Sequence, residues 1–200
     1  MVASIIMQHY GPFLVPDGVD VPEDHMLRGM FFDMTDCAMR QEGVDDSRLS
    51  AYVSDMLSRF NHIDCIRPGF ETWKGYRKLA TLSDMYSEVQ RQMDAGEFEN
   101  AVAVLRHIGD YALFIGGFSS TQSRHMRNVW DRDCVRYRHA GEGSYWRAFT
   151  ISLLNGDHGS LTDCFEVLSE NFGRCPQALG RIGRWSAEPS TWRLQQLETP

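Results

Sequence analysis

Residues 97–118, whose core reads LRHIGDYALFIGGF at 105–118, constrain the fold more than any other stretch of the chain. Phe98, Val102, Leu105, Ala112 and Ile115 recur at helical spacing. Val104, Ile108, Tyr111, Phe114 and Phe118 widen that stripe until the second half is apolar nearly all round. A helix of this kind has to be enclosed by other elements. Yet Arg106, His107 and Asp110 stand inside it, and a buried charge needs a partner and hydrogen bonds. Arg106 and Asp110 are four apart, so they share a face and can pair; His107 and Tyr111 share a different one. Gly109, Gly116 and Gly117 each cost a helix about 1 kcal/mol relative to alanine. Such glycines are useful where another helix or a ligand comes close. The segment predicts a buried central helix with the rest of the chain wound around it.

The remaining periodicity supplies the other helices. Pro22-Glu23-Asp24 starts one that runs to Gln41 and stops at Gly43. Asp45 or Asp46 caps the next, with Leu49, Val53, Met56 and Phe60 on one stripe. Residues 61–75 hold Pro68, Gly69 and Gly75 and read as a loop. A helix over 76–94 carries Leu79, Leu82, Tyr86, Val89 and Met93 and ends at Asp94-Ala95-Gly96. Residues 119–131 read as a polar loop that could hold a short helical turn, followed by a helix over 133–155 closed by Asn155-Gly156-Asp157. Ser160 caps a helix bearing Leu161, Phe165, Leu168 and Phe172. Pro176 opens a short one to Ala187, and Pro189-Ser190 starts a last segment with Trp192 and Leu197. The expected fold is all-α: a single-domain bundle of six to eight helices around residues 97–118. Residues 23–200 form the helical domain, and 1–22, with Gly11, Pro12, Pro16 and Gly18, form an irregular acidic arm.

Composition narrows the function classes. With 42% hydrophobic residues in 200, the chain has material for one good core and is neither disordered nor collagen-like. No run approaches 18 uninterrupted apolar residues, so no membrane span is expected. The first 16 residues lack a basic region, and Gln8, His9 and Gly11 break their apolar runs, which makes a poor signal peptide. The cysteines, Cys37, Cys65, Cys134, Cys164 and Cys175, are odd in number and form no CxxC pair. Reduced thiols and a cytoplasmic location follow.

The net charge of −7 lies entirely in residues 1–46, where nine acids face two bases; residues 47–200 are balanced. An acidic region favours basic partners over nucleic acid or anionic lipid. Residues 124–147 are locally basic, with Arg124, Arg127, Arg132, Arg136, Arg138 and Arg147 among Trp130, Tyr137 and Tyr145. At a pI near 5.5 this stretch suits the acidic N-terminal region, in the same chain or in a second subunit, better than DNA or RNA. In the same stretch Tyr137, Gly141, Ser144 and Tyr145 share a small-residue stripe that could fit the glycine face of 109–117.

Those two segments carry a resemblance. Leu105, Arg106, Gly109, Asp110, Leu113, Phe114, Gly117 and Phe118 meet the pattern L-R-x-x-G-D-x-x-L-F-x-x-G-F, and Tyr137, Gly141 and Tyr145 follow. The chain resembles an uncharacterised group of bacterial helical proteins over about residues 46–185. The resemblance implies a helical fold and a bacterial source, and brings no activity or functional residue.

Motifs for chemistry are sparse. The seven histidines include no HExxH and no pair at four. His62 and Cys65 form an isolated HxxC, weak as a zinc site without two more ligands. There is no GxSxG and no phosphate loop. The expected protein is non-catalytic, acts through protein–protein contacts in a regulatory or accessory role, and forms a homodimer. Trp185 and Trp192, on short C-terminal elements, are expected to be partly exposed and available to an interface. The alternative is a bundle binding a small molecule or cofactor, even an enzyme, with His107, Asp110, Tyr111, Tyr137 and His139 around a pocket at the glycine contact. No cofactor is expected on the first reading. On the second, His107 or His139 could serve a haem or metal as a ligand.

Overall fold

The computed structural model describes residues 26–60, 69–72, 75–78, 81–119 and 127–187. Seven helices lie in these residues: α1 (Met26–Gln41), α2 (Ser47–Phe60), α3 (Leu82–Asp94), α4 (Phe98–Ser119), α5 (Arg127–Leu154), α6 (Ser160–Asn171) and α7 (Cys175–Ala187). The fold is an all-α bundle centred on α4, as the apolar character of 97–118 requires. α4 packs against α3, α5 and α7; α1 packs against α2 and α7, and α6 against α5 and α2. The proposed arm 1–22, the HxxC of His62 and Cys65, and the segment with Trp192 lie outside the described residues.

Helix ends follow local backbone chemistry. Gly43 has φ +75°, a conformation that a side chain disfavours. Its N–H reaches the Arg40 carbonyl, and the Val44 N–H reaches that of Met39, so the last carbonyls of α1 are satisfied. Gly96 and Gly156 close α3 and α5 with the same bond pair. Asp46 caps α2, its Oδ1 accepting from the N–H of Arg48 at 2.9 Å and of Leu49 at 3.4 Å.

Four sequence expectations are corrected. Residues 69–72 and 75–78 form an antiparallel hairpin, β1 (Gly69–Thr72) and β2 (Gly75–Lys78), with Gly69 opposite Lys78 and Thr72 opposite Gly75. Phe70 and Thr72 of β1 and Tyr76 of β2 are β-formers. The helix expected from 76 begins instead at Leu82. Thr81 caps it in a reciprocal box: Thr81 Oγ1 accepts from the Asp84 N–H, and Asp84 Oδ2 accepts from the Thr81 N–H. Ser160 is the first residue of α6 rather than its cap. Asp157, two residues before the Gly159 cap position, takes the Gly159 N–H and the Thr162 hydroxyl. Finally, α5 starts at Arg127, six residues before the expected position.

The core joins two aromatic groups. Tyr52 of α2, Tyr145 of α5 and Phe165 of α6 are fully buried and pack at ring-centroid separations of 6.1–6.4 Å; Phe172 joins Tyr145 at 6.0 Å. Phe60, His107, Phe114 and Phe118 form the second group. Phe98, expected on the inward stripe, is 39% exposed because it is the first residue of α4, where its neighbours no longer cover it. By length and composition α4 could cross a membrane. In this fold 61% of that stretch is buried under the other helices.

The expected fit of the 137–145 stripe on the glycine face of α4 is met by Tyr145 at Gly109, whereas Gly141 and Gly117 take bulky side chains from elsewhere. A Cβ at Gly109 would stand 2.6 Å from the Tyr145 ring. One at Gly141 would stand 2.1 Å from Phe172 of the α6 end, and one at Gly117 would stand 2.3 Å from Leu179 Cβ of α7. Each glycine therefore admits a different neighbour. Gly117→Ala gains helix propensity but forces two backbones apart, for a net loss of about 1–2 kcal/mol in urea unfolding. Gly29→Ala, where nothing lies within 4 Å, should instead stabilise by up to about 1 kcal/mol.

Candidate functional site

Asp110 is the centre of the most concentrated polar chemistry in the described residues. It lies mid-way along α4 and is 1% exposed. Its Oδ1 accepts from the Tyr52 hydroxyl at 2.5 Å and from the Tyr145 hydroxyl at 2.7 Å. Its Oδ2 takes Arg59 Nη2 at 3.3 Å and has Arg106 Nε at 3.8 Å. Arg106 also donates from Nε to the Tyr52 oxygen at 3.1 Å, with its guanidinium 5.2 Å from the centre of that ring. Arg59 donates its Nε to Asp55 at 3.2 Å. Two carboxylates and two guanidiniums are thus enclosed together, a neutral set bridged by two phenols.

Each position has a local reason. Arg106 and Asp110 are one turn apart on α4, the pairing that their spacing predicts. Asp55 and Arg59 repeat that spacing on α2, and Tyr52 stands one turn earlier. Gly109 lets the Tyr145 ring lie flat on α4, so its hydroxyl reaches the carboxylate. Burial first, and then the negative charge of Asp110, pushes the Tyr145 phenol well above its ordinary value of 10.0. Tyr145 is therefore a neutral donor at any physiological pH.

The five residues expected to line a pocket separate into three places. His107, buried, lies 5.8 Å from the Phe60 ring and stacks on Tyr111 at 6.4 Å; Tyr111 meets Tyr137 edge-on at 6.0 Å. These three form a row from the core to the half-exposed Tyr137. Asp110 points into the charge cluster instead. His139 is exposed on α5. Among the described residues no three His, Cys, Asp or Glu side chains gather as a metal site would need.

Sequence reasoning missed Tyr52, Asp55 and Arg59. The signal was present: Tyr, Asp and Arg at steps of three and four on α2, beside its apolar stripe. A polar row of that kind normally faces solvent, and only the packing against α4 and α6 buries it. Among the described residues, three acids of the N-terminal quarter pair outside the basic stretch at 124–147. Glu42 pairs with Arg181 of α7 at 2.7 Å, Asp36 with Arg40 and Asp46 with Arg48. Compared with models of known protein families, with curated proteins and with solved structures, the chain matches none.

Chemically the cluster is closed on itself: both oxygens of Asp110 are taken by the chain's own donors. Asp110→Asn leaves two buried guanidiniums with one carboxylate and should cost about 3–5 kcal/mol in urea unfolding, while Tyr145→Phe should cost about 1–3 kcal/mol. Alkaline pH should act in a defined direction. Burial holds the Cys164 thiol up at about 11 and the Cys175 thiol at about 12, against an ordinary 9.0. In the folded chain these groups keep their protons while the unfolded chain releases them. Their contribution is intact below pH 9 and falls above it by about 1.4 kcal/mol per pH unit for each group, with Tyr145 adding above pH 10. Urea midpoints at pH 8, 9.5 and 10.5 measure the slope, which Cys175→Ala should reduce.

Proposed function

We propose that this chain is a bacterial cytoplasmic protein that works by holding other protein surfaces, its own copy included, rather than by chemistry at its polar centre. Two features of the centre support that reading. Asp110 and Tyr145 are enclosed, and their polar atoms are engaged with Tyr52, Arg59 and Arg106. A general acid or base must reach its substrate within hydrogen-bond distance or through one water. The free thiols Cys37, Cys164 and Cys175, two of them buried, fit a reducing compartment.

The observation that carries the reading is on the surface of α5. Trp146 is 52% exposed, packs at 5.5 Å on Phe149, and is followed two turns later by exposed Leu153 and Leu154. Large exposed aromatics on a well-packed helix are the residues that anchor protein interfaces. Trp185, expected to have that role, is only 7% exposed on the inward face of α7, so the weight passes from Trp185 to Trp146.

A second reading keeps one favourable observation, the row His107–Tyr111–Tyr137, which a flat ligand, a haem or a metal complex could meet at its Tyr137 end. Native mass spectrometry of the protein purified from its own host, with an absorbance spectrum of the same sample, separates the two. A multiple of 22.9 kDa, or that mass with a second polypeptide, supports the contact reading. A retained small-molecule mass or a visible absorption band overturns it in favour of the second.

A further inference from the structure

α5 has an outer face with a regular order. His139, Gly143, Trp146, Thr150 and Leu153 follow at steps of four, three, four and three, the spacing of a coiled-coil seam. None of the five is buried, whereas Ala140, Ser144, Tyr145, Ala148 and Ile151, on the opposite side, are. The seam has a knob and a notch. Trp146 projects, and one turn before it nothing lies within 4 Å of where a Gly143 Cβ would stand. Glu142 borders the seam on one side and Arg147 on the other; both are exposed, and neither has an ion-pair partner among the described residues.

We infer that this face pairs with the same face of a second copy of the chain, with the two α5 helices parallel about a two-fold axis running along them. The inference rests on the protein-contact reading above and names its partner. Charge decides the orientation. In a parallel pair the residue just before one seam position faces the residue five further on in the other helix. That places Glu142 of each copy against Arg147 of the other, two opposite-charge pairs flanking Trp146. An antiparallel pair would instead bring like flanks together, setting the Arg147 side of one helix against the Arg147 side of the other and the two Glu142 sides against each other. Size agrees with the same arrangement. A seam knob enters a hole made by four residues of the facing helix. For Trp146 these are Gly143, Trp146, Arg147 and Thr150 of the second copy, two of them small enough to leave room for an indole. The seam from His139 to Leu153 is about 22 Å long at 1.5 Å per residue.

The test is sedimentation equilibrium of the full chain, with far-UV circular dichroism confirming that each variant keeps its helices. Wild type is expected at twice 22.9 kDa. Trp146→Glu should weaken self-association about thirtyfold or more. Glu142→Arg and Arg147→Glu should each weaken it, since each sets two like charges face to face across the axis. The double variant Glu142→Arg/Arg147→Glu should restore association to near the wild-type constant. A wild type that stays monomeric overturns the self-pairing, and if native mass spectrometry then finds a different polypeptide bound, the contact reading survives it. A dimer indifferent to Trp146→Glu overturns this surface, and a double variant that does not recover overturns the parallel orientation.

Discussion

A carboxylate buried at the middle of the central helix sets terms for everything around it. Asp110 cannot be ionised in an apolar interior without compensation, and the compensation comes from three helices: Tyr52 and Arg59 of α2, Arg106 of its own α4, and Tyr145 of α5. Each donor is delivered by a packing feature. Gly109 removes the side chain that would hold Tyr145 away, and Phe165 of α6 supports both tyrosine rings. Helices that could slide against one another in a purely apolar bundle are given a single register, because a shift of one turn would leave a charge unmatched. Replacing such a network by apolar side chains can preserve stability in other proteins, so its contribution here is specificity of arrangement as much as free energy.

The same logic separates inside from outside on α5. Its inner face supplies Tyr145 to the cluster and Ser144 to Tyr86 of α3, whose hydroxyl also reaches the Ala140 carbonyl. Its outer face carries Trp146, one residue from Tyr145, whose ring partner among the described residues is Phe149 of the same helix. One helix thus anchors the core and presents the exposed aromatic. A contact made on the outer face acts on an element tied at its centre to Asp110, so the interface would be built on a rigid support.

How far the fold and site were legible depended on the range of the interaction. The stops at Gly43, Gly96 and Gly156, the Asp46 cap and the Arg106–Asp110 pair all involve residues within five positions, and all can be read from spacing. The β1–β2 hairpin was obscured because Leu79, Leu82 and Tyr86 continue a helical period across its end, and the Thr81–Asp84 box was the stronger signal. The shortness of its element predicts a partly exposed Trp185, yet Trp185 shares the inward face of α7 with Ala178 and Ile182 and is 7% exposed.

The sequence by itself determined that residues 97–118 form an enclosed helix, that it carries an internal ion pair, and where most helices end, because these follow from helical period and from backbone bonds to the third and fourth neighbours. Only the tertiary structure decided which side chains meet Asp110, since Tyr52, Arg59 and Tyr145 lie 58, 51 and 35 residues away along the chain. It also decided that the glycines receive Tyr145, Leu179 and Phe172 rather than one another, and that His107 and Asp110 belong to separate clusters. A hydrophobic stripe states which face of a helix turns inward. Which neighbour it meets there depends on how the helices stack, and periodicity carries no record of that.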